Sequence, residues 1–256
     1  MSAAIDPAKH ARELLEQGFS VFERVWSDAE VERLRQAIGD CLAATTPPRL
    51  WSERDVRLGD SVVINYTGVV FYRLLMEHPQ ITELLLKPSV VESLRGALGR
   101  DMRLEIVGGV ATDETRPFFH WHTHIGGFDD GKYQSHGGWP AITSAQRVTT
   151  LLYLDDIDDD GGLFLVYPRA VGDPTAPPQD PAAWPWQGQV EIRVPKGSLV
   201  AIEQCTWHTA LPMRRPGLRM FLGCSFRAEG VPPPAWVDPE LTELARRCPL
   251  IASVVA

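Results

Sequence analysis

The hydrophobic and polar positions change their period part-way along the chain. Over residues 1–100 apolar positions recur mainly at helical spacing, whereas from Met102 onward they alternate in short runs cut by Gly and Pro. Spacing of i, i+3, i+4 marks an amphipathic helix, and strict alternation marks a strand. Residues 6–17 therefore predict a short helix ended by Gly18, and residues 19–25 a strand. Ser27-Asp28-Ala29-Glu30 fits a capping box, in which the hydroxyl and the carboxylate satisfy amides at a helix start. Val31, Leu34, Ile38, Cys41 and Leu42 follow at helical spacing. A second such box, Ser89-Val90-Val91-Glu92, predicts a helix running to Leu98, with Gly99 as its stop. Between the two, residues 60–72 fit no single period, and residues 69–77 are expected to be helical. Strands are predicted over residues 103–111, 118–124, 147–154, 163–167, 189–194, 198–202, 207–211 and 218–226. A Pro-rich stretch, residues 168–187 with Trp184 and Trp186, interrupts them and reads as a lid, a binding loop or disorder. The layout is one domain, residues 1–256, in which a mostly helical buttress (1–100) packs on a β core (101–230). That is a mainly β chain with flanking helices, its core a sandwich or barrel of short antiparallel strands.

Charge and composition narrow the partners. The 256 residues carry 25 Lys plus Arg against 33 Asp plus Glu, a net charge of −8. No basic stripe is available to neutralise phosphates, so nucleic acid is not an expected partner. No uncharged apolar run reaches the roughly 18–20 residues that span a bilayer. The longest, residues 61–72, contains Asn65. The first residues lack the apolar core of a signal peptide. The four cysteines (Cys41, Cys205, Cys224, Cys248) form no CxxC pair, so free thiols and a cytoplasmic location are expected.

Of seven histidines, four lie between His120 and His136. In Phe118-Phe119-His120-Trp121-His122-Thr123-His124 three of them stand at alternate positions, which on a strand share one face, with Phe119, Trp121 and Thr123 on the other. Neutral imidazoles side by side suit a divalent transition metal. The same pattern also fits hydrogen-bonded polar residues along a solvent-facing strand. Farther on, His208 opens a strand, and Arg219, eleven residues later, begins the alternating strand 218–226. Iron(II) oxygenases that use 2-oxoglutarate need two or three ligands on one face of the metal, open positions for a chelating 2-oxo acid and O₂, and a cation for the far carboxylate. Arginine suits that last task because its planar fork matches a carboxylate.

At these residues the sequence resembles the phytanoyl-CoA dioxygenase (PhyH-like) branch of the Fe(II)/2-oxoglutarate-dependent oxygenases. The resemblance spans roughly residues 18–227. It runs through Gly18-Phe19-Ser20-Val21, Val31-Glu32-Arg33-Leu34, Trp121-His122-Thr123-His124, Leu154-Asp155-Asp156, Gly161-Gly162-Leu163, Gly197-Ser198-Leu199, Trp207-His208 and Arg219. It implies a double-stranded β-helix (jelly roll, cupin-like) core. It also implies His122 and His208 as iron ligands, Arg219 as the 2-oxoglutarate anchor, and Fe(II), 2-oxoglutarate and O₂ as cofactors and co-substrates. The family's second ligand is a carboxylate, and His124 stands there instead. Three arrangements follow: His124 coordinates, as favoured here; it swings away and leaves a place for water or halide; or Asp129 or Asp130 reaches in. With one carboxylate ligand and the 2-oxoglutarate dianion a ferrous centre is singly negative, and with three imidazoles it is neutral. The family's Pro-Gly-Ser-His is also replaced, here by Tyr167-Pro168-Arg169-Ala170.

His120 is a reserve ligand, and His136 reads as a loop or substrate-contact residue. Thr149 is placed to hydrogen-bond the co-substrate. Residues 155–160, rich in Asp, suit Ca²⁺ less well than a solvated turn, because the spacing of a Ca²⁺ loop is missing. Cys205 has no partnered base and reads as a buried small residue. Arg214 and Arg215 compete with Arg219, but precede the turn signal Pro216-Gly217. Phe119, Trp121, Phe128, Tyr133, Trp139, Trp184, Trp186 and Trp207 surround the expected mouth, and several suit an apolar or aromatic small-molecule substrate. The expected activity is oxidation of a C–H bond, with hydroxylation as the default outcome and a setting in secondary metabolism. The rivals are a three-histidine iron dioxygenase that does not use 2-oxoglutarate, and a catalytically silent jelly-roll protein that binds a ligand or metal.

Overall fold

A computed structural model describes residues 5–125, 138–234 and 237–255. Among these residues twelve strands form two antiparallel sheets. They are β1 (Phe19–Phe22), β2 (Val56–Leu58), β3 (Val62–Ile64), β4 (Val69–Phe71), β5 (Arg103–Asp113), β6 (Phe119–His122), β7 (Arg147–Tyr153), β8 (Phe164–Val166), β9 (Val190–Ile192), β10 (Leu199–Glu203), β11 (His208–Ala210) and β12 (Leu218–Arg227). The larger sheet has the order β1-β10-β7-β12-β5-β4-β3-β2, and the smaller β6-β11-β8-β9. The helices are α1 (Pro7–Glu16), α2 (Asp28–Thr45), α3 (Leu74–Glu77), α4 (Pro88–Leu98), α5 (Leu241–Arg247) and α6 (Pro249–Val255). This is the jelly roll with flanking helices that the sequence implied.

The alternation of β12 shows how one strand serves two layers. Met220, Leu222, Cys224 and Phe226 pack into the large core under the helices, together with Leu34 and Ile38 of α2 and Val91 and Leu94 of α4. Phe221 faces the other way, into a second core between the sheets with Tyr153, Phe164, Val166, Val200 and Ile202. Arg219 shares that inner parity. Both faces of the strand are thus removed from water, at about 1.5–3 kcal/mol for each large apolar side chain. Gly18 joins α1 to β1 with φ +80°, and a side chain there would meet the Thr206 hydroxyl.

Three local expectations are corrected. Residues 69–71 are strand β4, not helix, and only Leu74–Glu77 is helical. Val69 and Phe71 pack into the large core and Val70 into the inter-sheet one, so burial on both faces erased the alternation that would have marked a strand. Pro88 occupies the first turn of α4 and Lys87 its N-cap, so Ser89 lies inside the helix and no side chain caps it. The box at Ser27 does form, with the Ser27 hydroxyl accepting from the Glu30 amide. The first hundred residues also give four strands, β1 to β4, to the larger sheet.

Candidate metal centre

His122 ends β6 and His208 begins β11, and the two residues are directly opposite in the antiparallel pair. Just beyond β6, the His124 amide donates to the Gln204 carbonyl (2.8 Å), which folds the chain back over the same spot. The ligand nitrogens of His122, His124 and His208 all lie within 4.8 Å of one another, and no other such group occurs among the described residues. Ring centroids are 4.2 Å apart for His122 and His208, 4.5 Å for His124 and His208, and 5.6 Å for His122 and His124.

The outer nitrogen of each ring is engaged. His122 Nδ1 lies 3.0 Å from the His120 carbonyl, and His208 Nδ1 2.9 Å from the Thr206 carbonyl. A carbonyl only accepts, so both rings carry their proton on Nδ1 and turn an Nε2 lone pair inward. His124 Nδ1 meets the Thr149 hydroxyl at 2.9 Å. Thr149 stands on β7 of the larger sheet, so that contact crosses the sandwich. Burial first, and the neighbouring rings second, hold His124 and His208 well below the ordinary imidazole pKa, which keeps them neutral. Three oriented imidazoles, two of them with their tautomers fixed by carbonyls, fit a divalent transition ion.

The strand face differs from the simple alternation. Three residues of β11, His208 to Ala210, lie against four of β6, Phe119 to His122, so β6 carries a one-residue bulge. The Thr209 hydroxyl takes the Phe119 carbonyl at this point. The bulge brings the Phe119 ring onto His122, with centroids 4.1 Å apart, although alternation places it on the opposite face. It also leaves His120 exposed and outside the cluster. Tyr66 stacks on Phe119 at 5.0 Å and Trp51 meets Tyr66 at 5.9 Å, forming an aromatic shelf from the partly exposed rim to the histidines.

Arg219 is buried on β12, and its Nη1 donates to the Gly162 carbonyl at 2.9 Å. Arg215 instead pairs with Asp158 at the surface. Asp158 also accepts the amides of Asp160 and Gly161, which makes the acidic run a turn. Cys205 is buried, its thiol pushed up first by burial, then by Glu203. Most of the tryptophans serve packing. Trp121 and Trp186 stack at 4.2 Å in a small core with Trp207, Leu163 and Leu165, and Trp139 packs against Trp207. Asp129, Asp130, His136, Phe128 and Tyr133 lie outside the described residues.

Arg116 and Tyr153 escaped the sequence reading. Arg116 precedes Pro117 in a connecting segment, where an arginine reads as solvent-facing, yet only 2% of it is exposed. Tyr153 sat within a predicted strand with nothing to set it apart from a core aromatic.

No family model matches the sequence, and no curated protein matches it. Solved structures do. The non-haem α-ketoglutarate (2-oxoglutarate) dependent carbocyclase SnoK from nogalamycin biosynthesis superposes with a TM-score of 0.64 at 20% identity, covering 94% of each chain. HygX from Streptomyces hygroscopicus, crystallised with nickel and 2-oxoglutarate, gives 0.60 at 13% identity over 87% of each chain. The α-ketoglutarate dependent epimerase SnoN, also from nogalamycin biosynthesis, gives 0.57 at 17% identity, covering 87% of this chain and 82% of its own. The fold is that of non-haem 2-oxoglutarate-dependent enzymes. At these identities the likeness is one of fold, and the chemistry rests on the residues in place.

Proposed function

We propose that this protein is an Fe(II)/2-oxoglutarate-dependent oxygenase of PhyH-like type that hydroxylates a C–H bond of a small organic molecule, in secondary metabolism. The observation that carries the reading is the convergence of His122, His124 and His208, within 4.8 Å, in a fold shared with enzymes that use this cofactor pair. All three imidazoles hold the metal in this reading, so His124 replaces the family's carboxylate rather than leaving a gap. Bound there, iron supplies activation of O₂ coupled to oxidative decarboxylation of 2-oxoglutarate to succinate and CO₂.

The chain's own residues do the rest. The His120 and Thr206 carbonyls fix two tautomers, and Thr149, expected from the sequence to hydrogen-bond the co-substrate, also orients His124. Arg219 anchors the co-substrate's far carboxylate from inside the sandwich. Phe119, Tyr66 and Trp51 present apolar ring faces to a substrate with an apolar or aromatic surface. The test is anaerobic addition of Fe(II) and then 2-oxoglutarate. A visible charge-transfer band, followed by succinate on admitting O₂, is expected. Turnover of iron-loaded protein without 2-oxoglutarate would instead support a three-histidine dioxygenase, and failure to retain metal a binding protein.

A further inference from the structure

Two arginines are buried in this sandwich without an acid against either. Arg116 is 2% exposed and Arg219 4%. Among the described residues neither forms an ion pair. Asp155 exerts a favourable field on Arg219, but its carboxylate is held by Arg35 and by the Met220 amide (2.7 Å). Arg116 makes only long bonds to main-chain oxygens: Leu211 at 3.3 Å, Pro117 at 3.4 Å and Ala210 at 3.5 Å. Arg219 reaches the Gly162 carbonyl, while its Nε is buried without a partner.

These contacts bring the two side chains to one place. A side-chain carbon on Gly162 would sit 2.9 Å from Arg219 Nη1 and 2.7 Å from the Leu211 oxygen, the same oxygen that Arg116 Nη2 approaches. Only glycine fits there, and it does so with φ +80°. The Tyr153 phenol lies within electrostatic reach of both guanidiniums. Taking one charge out of water costs several kcal/mol, and a second like charge beside it adds to that. Burial and then the neighbouring Arg219 depress the Arg116 guanidinium to about 9, so it remains charged at neutral pH. Main-chain dipoles soften this arrangement without neutralising it, so the pair is built for an anion.

We propose that Arg116 and Arg219 together form a two-guanidinium cradle for the distal carboxylate of a 2-oxo diacid. The proposal rests on the oxygenase reading, and it adds Arg116 as a second binding residue. A carboxylate accepts up to about four hydrogen bonds, enough for two guanidinium forks. The neighbouring Phe119 ring, 5.8 Å from the Arg116 guanidinium and stacked on His122, connects the cradle to the metal ligands.

The test uses nickel-loaded full-length protein, in which binding is measured without turnover. Calorimetric titration compares 2-oxoglutarate with 2-oxovalerate, which keeps the chelating end and carries a methyl in place of the distal carboxylate. Wild type is expected to bind the diacid far more tightly. Arg116→Met should weaken 2-oxoglutarate binding by about 30-fold or more, as for removal of one partner of a hydrogen-bonded charge pair. Its binding of 2-oxovalerate should stay within about threefold. Without ligand, relief of the like-charge contact should leave its Tm unchanged or raised. Arg116→Lys, which keeps the charge but loses the fork, should fall between, and it carries the same comparison if the Met variant does not fold. Equal losses for both acids, or no loss for either, would overturn the cradle alone. Wild type that fails to discriminate between the acids would do the same. Wild type that binds neither acid would overturn the oxygenase reading and the cradle with it.

Discussion

At the scale of single residues, the candidate centre depends on what lies behind each imidazole. His122 and His208 are oriented by carbonyls of their own neighbourhood, which no side-chain replacement removes. Behind His124 stands a hydroxyl, Thr149 Oγ1 at 2.9 Å. Thr149→Val keeps the shape and removes the hydroxyl that meets His124, so metal affinity should drop by about 10- to 100-fold with the fold intact. Competition against a metal chelator measures this. His120→Ala, on an exposed neighbour of the cluster, should leave the affinity unchanged. Equal effects of the two substitutions would mean that Thr149 does not orient a ligand. His122 and His124 were legible because they alternate within one short run, and His208 because it opens a strand eleven residues before Arg219. Arg116 was not, because its role depends on burial, and burial of a residue in a connecting segment is decided by elements far away in sequence.

At the scale of elements, β10 and β12 were readable although both of their faces are buried, and β4 was not. The run over β4 is apolar throughout and is three residues long, so no period separates strand from helix. The bulge in β6 was equally hidden, because the sequence shows alternation and the extra residue exists only relative to β11. Short helices α5 and α6 left no capping or amphipathic signal strong enough to predict. The Pro-rich segment gives the clearest case of two like residues with unlike roles. Trp184 is 47% exposed, whereas Trp186 is 2% exposed, stacked on Trp121, with its indole N–H donated to the Asp180 carbonyl at 2.9 Å. Trp186→Ala should cost about 3–5 kcal/mol by leaving a cavity in that small core. Trp184→Ala should stay within about 0.5 kcal/mol of wild type. Urea unfolding of the two variants decides it. Similar losses would show that the segment is anchored by something other than the Trp121–Trp186 stack.

At the scale of the whole molecule, the candidate site is divided between the two sheets. His122 and His208 belong to the smaller sheet, and Thr149, Tyr153 and Arg219 to the larger. A ligand held by both halves stabilises the closed sandwich rather than one loop, so its binding energy becomes folding stability. The order of addition follows from the chemistry. In the proposed oxygenase the metal needs only the imidazoles, whereas a 2-oxo acid needs the metal at one end and Arg219 at the other. Metal alone should therefore raise Tm, and 2-oxoglutarate should raise it further only when metal is present. At a free ligand concentration of about one hundred times Kd the gain is about 2.7 kcal/mol. For a chain of this size that corresponds to a rise of about 5–10 °C. Differential scanning fluorimetry with nickel, 2-oxoglutarate, both and neither measures all four states. A full rise from 2-oxoglutarate without metal would place the acid on the arginines alone, and the two sheets would then be joined by charge rather than through the metal centre.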